Sequence, residues 1–412
     1  ALMANNEELR IIAVCDDDQN IYEFRGSDSS YMYKLAVGAE SKLVEMTENF
    51  RSAHSPVAFA NEFVKRISRR IKTTPIISMN GNGGRVEVIR HHSKFMCSPL
   101  VDNLIRNMNA GESSCVLTQT NDEAQTVTAL LRRRGINCRL IQSMDGIRFW
   151  NIAEMRYFIR DIERNTLTPI IDDEVWDRVR QKTFSVYKDS NAINYVRRCL
   201  EQFERTYRTK YLSDFREFVF ESSIEDFQDT CNVDVVVSTI HKAKGREFDD
   251  VYMMIKDGYA IDDQLLRRYY VGMTRAKKRL FIHTDTDHFN NICADSVKID
   301  SKEYVRPDEI ILQLTHKDVF LDYFKNRKQE ILALRSGDVL IYENNTLYTV
   351  SGKQPVARLS IKMQNALTDW ENKGYKVSSA SVRFIIAWKS KESPKGEKET
   401  AVILADLILK SK

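Results

Sequence analysis

Short apolar, β-branched runs alternate with runs of helical period along the first third of the chain. This alternation limits the fold more than any other feature. "LRIIAVC", "KLVEMT", "RVEVIRH", "SCVLTQT" and "NCRLIQ" read as strands. Between them "SSYMYKLAV", "SPVAFANEFVKRISRRI", "PLVDNLIRNMN" and "DEAQTVTALLRRRG" carry helical spacing, with Pro56 in a first turn and Gly135 closing the last helix. Strands separated by helices pair in parallel through helical crossovers, so the expected fold class is α/β.

The strand pattern stops at Asn151. Three helical stretches fill 151–229, and the α/β pattern resumes with "VDVVVST", "DDVYMMI", the helix "DQLLRRYYVGMTRAKK" and the strand "RLFIHT". The continuously apolar "VDVVV" suits a strand buried on both faces. Past Thr284, "DEIILQLTHKDVFLDYFKNRKQEILAL" reads as mostly helical, and the tail is rich in strands and turns, with Asn344 and Asn345 in a hairpin turn. The expected organisation is an α/β domain from 1–150 and 230–290, a helical insertion over 151–229, a helical connector over 291–334 and a small β-rich domain over 335–412.

Composition removes several classes of function. With 62 basic and 58 acidic residues the net charge is only +4, so any polyanion partner must be met by local patches. The 7 cysteines form no CxxC pair, which argues against a zinc site or a disulfide framework and fits a reducing compartment. No apolar run is long enough to span a membrane. The opening "ALMANNEELR" runs almost directly into a strand-like segment, so the chain reads as a piece of something longer.

Four segments carry chemistry. "VCDDDQNIYEFRGS" joins three carboxylates to a Gln and an aromatic-arginine group. If its strand continues through Asp16, Asp17 and Asp18, consecutive side chains point to opposite faces, so no metal ligand set is expected. Gln19 would then follow a strand end, where open α/β sheets place ligands. In "ENFRS", Arg51 offers a planar fork for phosphate and Phe50 a face for a base. In "STIHKAKGREFDDV", Thr239 and His241 suit a nucleic-acid strand, and a loop carries Lys244, Gly245 and Glu247. In "RRYYVGMTRAKKRLFIHT", Arg275 ends a helix that feeds a strand, where an arginine can meet a transferring phosphoryl group; Lys277 and Lys278 suit a helix end.

In this order, the four segments resemble motifs III to VI of the UvrD/Rep-like helicases of superfamily 1. "MDGIRFWNIAEMRYFI" is similar to that family's intermediate GGxxFFxRxEI motif. The resemblance covers Leu9 to Thr284 and implies a RecA-like, P-loop NTPase-type parallel sheet, with 1–27 as the end of a preceding motor domain. It implies that Gln19 and Arg51 contact the γ-phosphate of ATP, with Arg275 as an arginine finger. Phe50, in place of Tyr, would stack on adenine, and Gly245 and Glu247 would hold the ribose end. Tyr22, Phe24 (in place of Trp), Arg25, Thr239 and His241 would meet single-stranded DNA. Cys15 departs from the family's Gly and Ile152 from its Arg, the latter weakening a contact of the insertion, which is short for the family.

The 412 residues contain no GxxxxGK[ST] loop and no DExx pair before motif III. The resemblance therefore implies the C-terminal motor half of an ATP-dependent 3′-to-5′ helicase. Mg²⁺ would be held mainly by a missing N-terminal half, and this half alone would not hydrolyse ATP. Implied partners are single-stranded and duplex DNA, that N-terminal domain, and a protein at an SH3- or tudor-like C-terminal domain, in a bacterial, nucleoid-associated cytoplasmic setting. The alternative is a degenerate motor kept as a single-strand or partner-binding module. A nuclease fusion lacks a carboxylate-rich motif in the tail.

Overall fold

The computed structural model describes residues 12–23, 26–28, 30–38, 41–141, 148–227, 234–324, 326–389 and 399–411. The chain divides into two compact units, 1–124 with 235–305, and 125–234 with 306–412.

The first unit holds six strands of a parallel sheet: β1 (Arg85–His91), β2 (Ser114–Thr118), β3 (Val235–Thr239), β4 (Phe248–Ile255), β5 (Ala276–Thr284) and β6 (Ser296–Asp300). Their spatial order is β3-β2-β4-β5-β1-β6. β2 and β3 are buried at every position, as expected for strands covered on both faces. The helix Asp263–Met273 is entered through Asp262, whose carboxylate accepts the Leu265 N–H at 2.7 Å. It buries Tyr269, Tyr270, Val271 and Met273 and delivers the chain to Arg275.

Three expectations fail in this unit. Residues 12–16 form no strand, and the turn that follows them is a 3₁₀ helix, Asp17–Gln19. "KLVEMT" pairs only beyond its end, where Glu48–Asn49 lies parallel to Ile77–Ser78. Lys277 and Lys278 begin β5 rather than ending a helix.

A polar chain crosses the C-terminal ends of β5, β1 and β6. Asn103 Nδ2 lies 3.0 Å from His283 Nε2, and His283 Nδ1 lies 2.9 Å from His91 Nε2. His91 Nδ1 is 3.3 Å from Asp300 Oδ2, which also accepts the Tyr304 hydroxyl. The Asn103 amide nitrogen only donates, so His283 accepts at Nε2 and donates from Nδ1 to His91 Nε2, which places the proton of a neutral His91 on Nδ1, the atom nearest Asp300. Burial holds the His91 and His283 imidazoles below their usual value, with Asp300 opposing for His91. The sign follows directly. An unfolded histidine takes up a proton near pH ~6.5 and the folded ones resist it, so the stabilisation is complete above that pH and is lost as pH falls below it. Thermal melts should show a midpoint flat above neutrality and falling in acid, with a slope of up to about 1.4 kcal/mol per pH unit for each imidazole. A His283→Leu variant should lose most of its share of that slope.

The second unit combines helices Ala153–Asn165, Asp173–Val186, Ile193–Thr206 and Leu212–Glu221 with an antiparallel sheet. The sheet strands are β7 (Glu309–Gln313), β8 (Val339–Glu343), β9 (Thr346–Thr349), β10 (Pro355–Arg358), β11 (Tyr375–Trp388) and β12 (Thr400–Ser411), in the order β7-β12-β11-β8-β9-β10. The β8–β9 turn has positive φ at Asn344 (47°) and Asn345 (60°), as a tight hairpin requires. The segment 291–334, expected as a helical connector, instead contributes β6 and β7. In β7, Ile310 and Leu312 are buried while their neighbours are not, a period of two.

Helices and sheet share one apolar core, in which Phe158, Trp176, Phe203 and Phe215 pack with Ile403 and Leu404. The residues read as an insertion and as a β-rich domain thus enter one core. Ile152, the departure from the family's Arg, is fully buried in it and bridges to Ile386 of β11.

Candidate functional site

The described candidate residues all lie in the first unit. Arg275 occupies the turn between the helix Asp263–Met273 and β5, and its carbonyl accepts the N–H of Phe248, the first residue of β4. The side chain is only 3% exposed. Its Nε donates to Val271 O at 2.9 Å and one terminal nitrogen to Arg246 O at 3.1 Å. The other terminal nitrogen donates to Gln19 Oε1 and to Thr274 Oγ1, both at 2.9 Å. Gln19 is oriented in turn by its amide nitrogen, which donates to Asp16 Oδ2 at 2.6 Å.

Arg51 reaches Thr274 from a different turn of the chain. Asn49 Oδ1 accepts the N–H groups of Arg51 and Ser52 at 2.9 and 2.8 Å, which shapes the turn. Arg51 then donates to Thr274 O at 2.7 Å. Its Nε is buried and has no hydrogen-bond acceptor among the described residues; Glu247 Oε2 is 3.8 Å away. Two guanidinium groups therefore flank one threonine. Burial, and then the charge of Arg51, push the Arg275 guanidinium down to about 10. Such a pair of like charges can attract an anion.

Close packing holds the two arginine turns together. Ala53 N donates to Lys277 O at 2.7 Å, and a Cβ on Gly84 would lie 2.8 Å from each of Ala53 Cβ, Pro56 Cδ and Lys278 O. Around the rim, Glu247 is half exposed, 3.9 Å from Lys277 Nζ. Gly245 takes φ +84° with open space where a Cβ would stand, so the turn alone selects glycine there. Phe50 is 69% exposed, a ring face open to solvent, and its carbonyl accepts Asn80 Nδ2.

A second group adjoins the first. Thr239 ends β3 and is buried, and His241 lies in the 3₁₀ turn that follows. The Tyr22 hydroxyl donates to His241 O at 3.1 Å, with the rings 6.5 Å apart. Lys244 Nζ donates to Gln19 O at 2.9 Å and stands 5.0 Å above the Tyr22 ring. Burial, and then the charge of Arg275, hold the Lys244 ammonium below its usual value. Tyr22, Thr239 and His241 thus lie one short turn from Gln19. Phe24 and Arg25, expected beside them, lie outside the described residues.

The acidic triplet corrects the geometric premise drawn from the sequence. Because Asp17–Gln19 is a 3₁₀ turn and not a strand, one oxygen from each of Asp16, Asp17 and Asp18 falls within 4.8 Å of the others. Their chemistry is largely used within the chain. Asp18 receives Arg70 through both oxygens, at 2.9 and 2.7 Å, and Asp17 accepts the Ile71 N–H at 2.7 Å. The triplet brackets the segment after the helix His54–Val64, and Asp16 orients Gln19.

Sequence reasoning missed Thr274, Asp16 and Gly84 as parts of the site and placed Lys244 only in the loop after Thr239. Only adjacency marked Thr274, beside Arg275 in "GMTRAKK".

Sequence profiles described as the UvrD-like helicase C-terminal domain match residues 44–164 and 234–283. The chain is similar to DNA helicase II of Rickettsia typhi, 26% identical over 41% of this chain and 27% of that protein. It is similar to the ATP-dependent DNA helicase PcrA of Bacillus subtilis, 22% identical over 35% of this chain and 20% of that protein. The matched region thus spans about a quarter of the length of these relatives. Among solved structures, the C-terminal domain of a possible DNA helicase from Lactobacillus plantarum WCFS1 aligns over 61% of this chain and 98% of its own, at 14% identity and a TM-score of 0.31.

Proposed function

Because this chain belongs to the UvrD/Rep-like helicases of superfamily 1, as their C-terminal half, we propose that it supplies the second half of an ATP-driven motor that moves 3′ to 5′ along single-stranded DNA and unwinds duplex. The first unit is then the RecA-like second motor domain. The observation that carries this reading is the pair of guanidinium groups on Thr274, with the buried Nε of Arg51 left without an acceptor. A phosphate oxygen would supply the hydrogen-bond acceptor that the Arg51 Nε lacks, and negative charge beside that of Glu247.

In this reading Arg51, Arg275 and Gln19 meet the γ-phosphate. Phe50 stacks on the base, and Gly245 and Glu247 border the ribose. Mg²⁺, which spreads the charge of the phosphates when bound, belongs to residues of the other motor half; the acids nearest the arginines here, Asp16 and Glu247, are turned to Gln19 and to cations. When the nucleotide draws Arg275 and Gln19 toward it, Lys244 and Tyr22 follow, because Lys244 is bonded to the backbone of Gln19. Tyr22 and His241, with Thr239 beneath them, and Phe24 and Arg25 after them, are assigned to the single strand, where stacking is indifferent to base identity. We assign the C-terminal β-rich segment to partner docking of the SH3- or tudor-like kind, supported by the tightly turned strands β8 to β10.

The test compares ATP turnover by this chain alone with turnover by a helicase that contains it. The chain alone should show no Mg²⁺-dependent hydrolysis. In the helicase, Phe50→Ala should raise the KM for ATP by about tenfold with kcat nearly unchanged, since a base platform binds ground and transition states alike. Robust hydrolysis by the isolated chain would refute the half-site reading. A helicase whose turnover is indifferent to Arg51→Ala would favour the binding-module alternative.

A further inference from the structure

The second unit carries a cleft that the motor chemistry does not use. It encloses about 550 Å³ between the turn Phe149–Asn151 and the helices Ala153–Asn165 and Leu212–Glu221. Its walls are mainly apolar, from Trp150, Ile159, Val219 and Phe220. The Phe220 ring is 58% exposed and stands 6.0 Å from the Trp150 ring, inclined at 30°. A large aromatic left open to water at the mouth of an apolar cleft is a common anchor point for a partner side chain.

The charges around this cleft decide what kind of partner fits. Arg156 lies 5.2 Å from the centre of the Trp150 ring and pairs with Glu399. Arg216 pairs with Glu163 at 2.7 Å. Two of the three arginines at the cleft are therefore neutralised, and Glu217 adds a further negative charge. Arg160, exposed on the same helix as Arg156, has no acidic partner among the described residues. A polyanionic strand would have to run past Glu163 and Glu217 for the sake of one unpaired cation. A peptide segment that inserts a large apolar side chain, with a single carboxylate beside it for Arg160, meets the apolar wall and the unpaired cation and needs to bring only one negative charge past Glu217.

We propose that this cleft docks a protein partner through such a segment: a Leu or Phe anchor seated against Trp150 and Phe220, flanked by an acidic residue that pairs with Arg160. The proposal stands apart from the nucleotide reading, since none of these residues belongs to the arginine site.

The probe is a fluorescein-labelled hexapeptide, Gly-Asp-Leu-Phe-Asp-Gly, titrated with the full chain and followed by anisotropy. Saturable binding with Kd below about 1 mM is expected. Phe220→Ser and Arg160→Glu should each weaken it at least tenfold, with unchanged thermal midpoints because both side chains are exposed. The Arg160→Glu chain should prefer Gly-Lys-Leu-Phe-Lys-Gly, a reversal that no folding defect produces. Failure of the acidic peptide to saturate, equal binding by both variants, or absence of the charge reversal would each overturn the proposal. Displacement of the peptide by a twelve-residue oligothymidylate that itself loses affinity in Phe220→Ser would assign the cleft to nucleic acid and also overturn it.

Discussion

In a helicase that contains this chain, Arg275→Ala should lower ATP turnover by about 10³-fold or more, the range spanned by arginines that stabilise charge on a transferring phosphoryl group. Single-strand affinity without nucleotide should change far less. Steady-state hydrolysis and DNA binding on the same preparation separate the two. The variant also frees four acceptors that the guanidinium now satisfies, Val271 O, Arg246 O, Gln19 Oε1 and Thr274 Oγ1. A lowered unfolding midpoint is therefore expected beside the kinetic loss, so Arg275→Lys is the sharper probe. Lysine keeps the charge but has one nitrogen where arginine has a three-pronged fork, and it cannot hold Gln19, Val271 and Arg246 at once. Turnover within tenfold of the parent in both variants would remove Arg275 from the chemistry.

Gly84→Ala should cost about 2–5 kcal/mol of stability, combining the strain of a left-handed alanine with overpacking against backbone that cannot yield. The added Cβ would lie 2.8 Å from Lys278 O, Ala53 Cβ and Pro56 Cδ, at φ +84°. Gly111→Ala is the matched control: it has the same φ of +84° but nothing within 4 Å, so only the strain remains, about 1–2 kcal/mol. Denaturant unfolding of the two variants measures the difference. Because Gly84 lets the Arg51 turn lie against the start of β5, Gly84→Ala should also reduce turnover in the assembled helicase, where Gly111→Ala should not. Equal stability of the two variants would mean that the close approach carries no energy.

The parts of the fold that could be read from the sequence are those whose pattern is local. "VVVST" is buried throughout, and the Asn344–Asn345 turn joins two paired strands. The errors arose where a pattern needed a partner to interpret it. Ile12 and Val14 look like strand residues, yet they are 92% and 82% exposed and no described strand pairs with them. In "EIILQ" three adjacent apolar residues blur a period of two into what reads as a helix. At the candidate site, the resemblance to family motifs named Gln19, Arg51 and Arg275, and the fold brings Gln19 and Arg51 to Arg275 and its neighbour Thr274. It could not name Asp16, Thr274 or Gly84, because their contributions exist only once distant turns are packed together.

Those distances have a consequence for the order of synthesis. The bonds that define the site join residues far apart in the chain: 219 positions for Tyr22 to His241, 225 for Lys244 to Gln19, and 256 for Arg275 to Gln19. On a ribosome adding about 5–20 residues each second, Gln19 emerges some ~13–50 s before Arg275 does. For most of that interval the nascent chain has Gln19 and Arg51 but no Arg275, and the Thr274 carbonyl that fixes Arg51 does not yet exist. The second unit's four helices between Ala153 and Glu221 are synthesised before the strands β3 to β6 of the first. The bonds among Gln19, Arg51, Thr274 and Arg275 would therefore be withheld from an unfinished chain by connectivity alone, forming only once the chain has reached β5.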